Sequence, residues 1–280
     1  MKSFIRKFLK YFWFMHKPLV FRNKRFKDIH RGETCYILAN GGSLKYYDIS
    51  KLPKRDTITC SYALIDKRLN SMNVKYFVHT DSYTLYPFLF NHHPRAKKFQ
   101  KNKILPIFNK IFKANKHLTT FINITNIYSV PFFRKNVFYY HKFHETQTPN
   151  DDLAGNFSNN RAALDIMLGI SKYMGYKKAI LIGCDYLGVP PLMGHFYADR
   201  KPFSMPDEDL SDYRSKVKLS SKGIDVLVIL PEDMSSPEFN YSSYESYFNL
   251  KKEYQNNHDF IDEDYLQMLR DAEDFNQSHM

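Results

Sequence analysis

Thr34-Cys35-Tyr36-Ile37-Leu38-Ala39-Asn40-Gly41-Gly42-Ser43-Leu44 carries a β-rich apolar run straight into two glycines and a serine. Branched and aromatic residues favour an extended, buried strand. Glycine lets the backbone approach an anion closely and adopt positive φ, so the junction predicts a strand whose carboxyl end opens on a phosphate-binding turn. A matching stretch lies in the second half. Ala162, Ala163, Ile166, Met167, Ile170, Tyr173 and Met174 recur at helical spacing up to Gly175, with Ser158 or Asn159 as the expected N-cap. Lys178-Ala179-Ile180-Leu181-Ile182-Gly183-Cys184-Asp185-Tyr186 then reads as a buried strand that delivers Asp185 and Tyr186 to its carboxyl end.

Between these landmarks the order alternates. Thr57 to Cys60 reads as a second strand, Ala63 to Met72 as a helix, and Val74 to His79 as a third strand ending at Thr80-Asp81. Asn136 to Tyr140 is a further candidate strand, Asp209 to Lys222 a helix ended by Gly223, and Ile224 to Leu230 a last strand stopped by Pro231. The fold class expected is α/β, a Rossmann-like and mostly parallel sheet flanked by helices. Residues 31–235 form the expected nucleotide-binding domain, with 83–140 as an irregular insertion rich in aromatic and basic residues. Residues 236–280 are expected to be a lid or helical tail with little core of its own.

The chain has 280 residues, 43% of them hydrophobic, enough for one substantial core and against disorder. Its three cysteines, Cys35, Cys60 and Cys184, are far apart in sequence and fit buried thiols in a reducing compartment. The net charge of +12 is concentrated at the start, where nine basic residues from Lys2 to Lys27 meet no acidic one. Phe4, Ile5, Phe8, Leu9, Phe12 and Trp13 fall near one side of a helix there, so residues 1–30 read as a basic amphipathic segment. Two readings stand: residues 1–27 lie on an anionic membrane surface, or the aromatic face packs on the domain with its lysines in water. The apolar stretch Tyr11 to Met15 is too short to cross a bilayer and no cleavage site follows it. No helix-turn-helix, zinc-finger or RNA-binding motif accompanies the charge, so nucleic acid is not an expected partner.

The strand into Asn-Gly-x-Ser-Leu-Lys, the strand-helix-strand that ends near an acidic residue, and Gly-Tyr-Lys-x-Ile-x-Leu-x-Gly-x-Asp-Tyr together resemble the bacterial sialyltransferases that use CMP-activated sugars. They are also similar to the wider sialyltransferase-like group, which includes β-Kdo transferases and the family of an archaeal 6-hydroxymethylpterin diphosphokinase. The resemblance covers about Glu33 to Asp81 and Asn156 to Leu230. It implies a single-domain glycosyltransferase with no obligatory metal or cofactor, in which Asn40, Gly41, Gly42 and Ser43 form the donor loop. Phe157, Ser158 and Asn159 would stand beside the nucleotide, Asp185 and Tyr186 would close its pocket, and Tyr197 or His195 would hydrogen-bond the departing phosphate. The chain has Gly42 where the family has proline, Cys60-Ser61-Tyr62 where it has an asparagine, and no histidine between Phe203 and Tyr213, where the family's base falls.

Sugar transfer needs a base for the acceptor hydroxyl and groups that stabilise the leaving phosphate. His195 is the first candidate, on a loop after the ligand-binding edge, and Asp81 and Asp199 are the reserves. No metal is expected: Asp151-Asp152, His92-His93 and His141 with His144 lack completing ligands. The reading is a cytoplasmic glycosyltransferase, peripheral on the inner face of the membrane. It would move a CMP-linked sialic acid, nonulosonate or Kdo-type sugar onto a glycan or glycolipid acceptor. The alternatives are a metal-dependent pyrophosphokinase-like enzyme and a non-catalytic nucleotide-binding membrane scaffold.

Overall fold

The computed structural model describes residues 14–80, 98–127, 135–141, 149–157, 162–198 and 207–277. Eight strands form one sheet: β1 (Thr34–Leu38), β2 (Asp56–Cys60), β3 (Asn73–His79), β4 (Thr119–Asn123), β5 (Val137–Tyr140), β6 (Lys178–Ile182), β7 (Asp225–Leu230) and β8 (Asn240–Ser243). All pairings are parallel, in the order β5-β4-β3-β2-β1-β6-β7-β8. β1 is central, with Tyr36 opposite Thr57 on one side and Ile180 on the other. Its residues are buried on both faces, which is why it reads as a continuous apolar run and not as an alternating one.

The pleat still sorts the side chains. Tyr36 and Leu38 join Phe77, Ile122, Ile180 and Ile182 on one face, while Cys35 and Ile37 join Ile58, Val78, Phe121 and Leu181 on the other. The first face is covered by α1 (Leu105–Ala114) and by the carboxyl-terminal α4 (Tyr244–Phe248), α5 (Asn257–Phe260) and α6 (Glu263–Gln277). The second is covered by α2 (Ala163–Tyr173), by Val217 of α3 (Asp207–Ser220) and by Phe26. Phe26 meets the Phe138 ring edge-on at 4.6 Å, a contact worth about 1 kcal/mol beyond its buried area. α2 ends where Gly175, at φ +87°, takes the left-handed turn and donates to Lys172 O at 2.9 Å.

Three expectations are corrected. Ala63 to Met72 forms no α-helix but two 3₁₀ turns, Ala63–Ile65 and Lys67–Ser71. Asp66 adopts an extended conformation between them, and its carboxylate accepts from Arg68 N at 2.9 Å, a local bond that competes with helix continuation. The stretch 83–140 is not an irregular insertion from Gln100 onward, because it supplies α1, opened by Pro106, and the strands β4 and β5. Nor does 236–280 lack core: β8 extends the sheet beside β7, and Tyr244, Phe260 and Leu266 are buried. The described carboxyl-terminal residues instead support the glycine turn, with Glu253 N donating to Tyr46 O at 3.0 Å and Gln255 N to Lys45 O at 2.7 Å.

The expected amphipathic face Phe4 to Trp13 lies outside the described residues. From residue 14 the chain is helical to residue 21 and runs into the 3₁₀ turn Arg22–Phe26. The buried Asn23 amide donates to Tyr139 O at 2.8 Å and Leu153 O at 2.9 Å, which fixes this segment to the domain. No helix of the described residues is long and apolar enough to cross a membrane.

Candidate functional site

The strand order reverses at β1. From β1 the chain moves outward through β2 to β5, then returns to the other side of β1 as β6. Two loops that diverge from adjacent strands leave a crevice at the carboxyl edge, the ligand-binding position of open α/β sheets. A cleft of about 420 Å³ occupies it, within the ordinary size range of small-molecule sites. The exits of β1 (Ala39 to Gly41), β2 (Cys60 to Tyr62) and β6 (Gly183 to Tyr186) form its floor, and Gly194, His195 and Tyr197 form one wall. The first residues of α2 and Tyr213 of α3 line the remainder.

The glycine turn does not keep its amide for a ligand. Ser43 N donates to Asp185 Oδ2 at 2.7 Å, and Ser43 Oγ donates to Asp185 Oδ1 at 2.6 Å. The anion at this turn is therefore the protein's own carboxylate, which corrects the expectation that Ser43 cradles phosphate. Gly41 N donates to Gly183 O at 2.8 Å beside it, so the β1 and β6 loops are clasped together across the switch point. Asp185 is 2% exposed, and desolvation raises its pKa to about 6, against the lowering by its two bonds from Ser43. It is a positioning residue at the cleft floor.

This predicts a pH dependence. The native carboxyl keeps its proton up to about pH 6, whereas an unfolded aspartate releases it near ~3.9. The contribution is fully present below the unfolded value and is lost as pH rises through the native one, by about 3 kcal/mol. Urea midpoints measured from pH 4 to pH 7 are expected to fall in the wild type relative to Asp185→Asn, whose amide can keep both contacts with Ser43. Parallel curves would show that Asp185 titrates alike in both states.

His195 forms an isolated antiparallel bridge with Gly41, and Phe196 N donates to Asn40 O at 3.1 Å, so this loop is sewn to the β1 exit. Phe196 is buried beneath it. His195 Nδ1 lies 3.3 Å from the same Asn40 carbonyl. A carbonyl only accepts, so Nδ1 carries the proton and neutral His195 presents Nε2 as a lone pair. Desolvation lowers its pKa from the usual imidazole value, despite the raising effect of the Asn40 carbonyl, and favours that neutral form. The ring stacks on Tyr197 at 5.1 Å, and Tyr62 packs edge-on to Tyr197 at 5.3 Å.

Around this histidine the cleft is mostly aromatic, with the Asp185 carboxyl at its floor. Burial raises the pKa values of Tyr186, Tyr197 and Tyr213, so their hydroxyls remain protonated donors. Arg214 Nε donates to Tyr186 O at 3.0 Å and its Nη2 to Gly188 O at 2.8 Å, which holds the loop after β6. Asn40 Oδ1 is closed off from solvent and has no hydrogen-bond partner among the described residues. Ser61 takes φ +51° at the β2 exit, a strained geometry for serine that turns the chain at the cleft.

α2 starts at Ala163 after Ala162, not at Ser158 or Asn159 as expected, and Ala162 N donates to Asp165 Oδ2 at 3.4 Å. Ala162 has no side chain to cap the helix, whose positive end borders the cleft. Ser158 and Asn159, with Asp81 and Asp199, lie outside the described residues. Phe157 is corrected: it is 1% exposed, packs edge-on to Tyr140 at 5.6 Å, and its side chain belongs to the core. The structure thus brings Asn40, Gly41, Asp185, Tyr186, His195 and Tyr197 to one cleft, with Gly42 and Ser43 in the turn behind it. Tyr62 and Tyr213 are additions that the sequence did not signal, because they come from the β2 exit and a polar helix; the helix start was expected at this edge of the sheet, and Ala162, Ala163 and Leu164 are the residues of it that line the cleft.

Among the described residues, His30, Glu33 and Asp56 place three potential metal ligand atoms within 4.8 Å of one another. They sit at the opposite, amino edge of the sheet. His30 Nε2 is 2.6 Å from Tyr76 OH, and Asp56 Oδ2 accepts from Lys75 Nζ at 2.8 Å and Tyr176 OH at 3.0 Å. The cluster is a hydrogen-bonded ion network that closes the strand starts.

No family model matches the chain, and no curated protein matches it. Among solved structures, it is similar to the sialyltransferase CstII from Campylobacter jejuni, solved in complex with the substrate analogue cytidine-5'-monophosphate. The match has 16% identity and a TM-score of 0.40, and covers 81% of this chain and 91% of that one.

Proposed function

We propose that the protein is a glycosyltransferase that binds a nucleotide-activated sugar in the cleft between the β1 and β6 exits. The observation that carries this reading is His195, held by the Asn40 carbonyl so that an unprotonated Nε2 is left for the aromatic, hydroxyl-lined crevice at the switch point. In the reaction, the bond between the anomeric carbon and the donor phosphate oxygen breaks, and the acceptor oxygen bonds to that carbon. His195 Nε2 takes the acceptor's proton, and the phosphate leaves with the bonding pair. The α2 start and the tyrosine hydroxyls would meet the developing negative charge. Tyr62, Tyr197 and Tyr213 offer faces for a base or sugar ring. The sequence motifs favour a CMP-linked sialic acid, nonulosonate or Kdo-type donor, and a surface-glycan acceptor.

The test is thermal denaturation with CMP, CDP, UDP, GDP and ATP, each with EDTA and with magnesium. A ligand at 100 times its Kd adds about 2.7 kcal/mol to the folded state. CMP is expected to raise the melting temperature equally with EDTA and with magnesium. A rise confined to a di- or triphosphate with magnesium would replace this reading with a pyrophosphokinase-like one, and no rise with any nucleotide would favour a scaffold.

A further inference from the structure

A second cleft, about 740 Å³, lies away from the switch point, between the amino-terminal segment and the loop 150–156. Lys17, Phe21 and Lys24 recur at spacings of four and three, so they share one face of the helical segment, and Lys27 follows them into the same cleft. The adjoining face is buried: Val20 is fully buried, Asn23 is bonded to Tyr139 and Leu153, and Phe26 is in the core. Anchoring on that side fixes the lysine face outward.

Three lysines meet one carboxylate in this cleft, that of Asp152, whose Oδ1 already accepts from Ala154 N at 3.2 Å. Among the described residues, none of the three lysines has a carboxylate within salt-bridge distance. Residues 14–27 carry five Lys or Arg and no acid. The same segment also holds large apolar side chains in water: Phe14 is 75% exposed, Met15 57% and Phe21 49%. Lys24 Nζ sits 3.8 Å over the Phe21 ring, so charge and apolar surface meet there.

We propose that this face docks the protein on an anionic lipid bilayer, with headgroup phosphates taken by Lys17, Lys24 and Lys27, and Phe14, Met15 and Phe21 sunk among the acyl chains. Cations beside exposed aromatic and thioether side chains match an interface that is charged outside and apolar a few ångströms in. A nucleic acid would use the lysines but leave Phe14 and Met15 in water. The docking is independent of the transfer reaction, and either can fail alone.

The test is co-sedimentation of the full chain with phosphatidylcholine vesicles, with and without phosphatidylglycerol. Binding is expected only to the anionic vesicles, weakening as salt rises. Lys17→Gln, Lys24→Gln and Lys27→Gln combined should reduce the partition coefficient ~100-fold, and Phe14→Ser with Met15→Ser should reduce it in a way that low salt does not rescue. All five side chains are exposed, so melting temperatures should be unchanged. Equal binding to both vesicles, or triple-variant binding equal to wild type, overturns the proposal. So does lysine-dependent binding to a single-stranded oligonucleotide without vesicle binding.

Discussion

Gly41→Ala is expected to lower stability by about 4 kcal/mol in urea denaturation, whereas Gly42→Ala, one residue on, is expected to stay within about 0.5 kcal/mol of wild type. A Cβ at position 41 would fall on the Asp185 carboxylate, 2.6 Å from its Cγ, and 2.5 Å from the carbonyl oxygen of Gly183. Neither neighbour can withdraw cheaply. The Gly183 carbonyl is backbone and already accepts from Gly41 N at 2.8 Å. The carboxylate is held by two bonds from Ser43, and releasing them leaves a charge with 2% exposure unpartnered. Charge-assisted bonds of this kind contribute about 1.5–3 kcal/mol each, so the loss of even one, added to the backbone displacement, accounts for the expected figure.

At Gly42 the nearest atoms to an added Cβ belong to Leu192 and Met193, all at 3.7 Å, an ordinary van der Waals contact. The two adjacent glycines are thus separable by experiment. If both substitutions are equally mild, the clasp between the β1 and β6 loops does not hold the site. If both are equally severe, the turn needs glycine for its backbone conformation, and Asp185 is not the reason.

The central strands were legible because parallel strands buried on both faces are written as unbroken apolar runs, and Cys35 to Leu38 and Ala179 to Ile182 are such runs. The edges were not. β4 follows a basic, aromatic stretch that masks it, and β8, Asn-Tyr-Ser-Ser, is a polar edge strand placed by its pairing with β7. Asp185 could be assigned to a strand end from sequence, but not its engagement by Ser43, which lies 142 residues away. The same limit hid Tyr62 and Tyr213, whose membership in the cleft depends on which loops the reversal at β1 brings together. Phe157 was misplaced for the opposite reason: chain proximity to α2 suggested the site, while an aromatic ring with no polar atom is most stable where the fold buries it.

His195→Ala is expected to reduce kcat/KM for the proposed sugar transfer by about 10²–10⁴-fold, with little change in melting temperature, because the residue is open to solvent on its cleft side, is desolvated only where the cleft walls crowd the ring, and its ring makes one hydrogen bond among the described residues, to Asn40 O. The pH profile separates a base from a mere ligand of phosphate. Burial lowers the imidazole pKa, so the base form is lost only below the usual value of ~6.5. Wild-type kcat/KM should therefore rise with pH to a plateau reached before neutrality, and His195→Ala should lack that rise. A phosphate ligand acting as imidazolium predicts the reverse, with activity falling as pH increases over the same interval. His195→Gln refines the distinction, since an amide can still donate to an oxygen but cannot accept a proton: recovery of activity by glutamine would assign His195 to the leaving phosphate, and continued loss would assign it to the acceptor hydroxyl. In either case the Asn40 carbonyl engages Nδ1, so the residue that opens the glycine turn also leaves Nε2 as the nitrogen of His195 that is free to act.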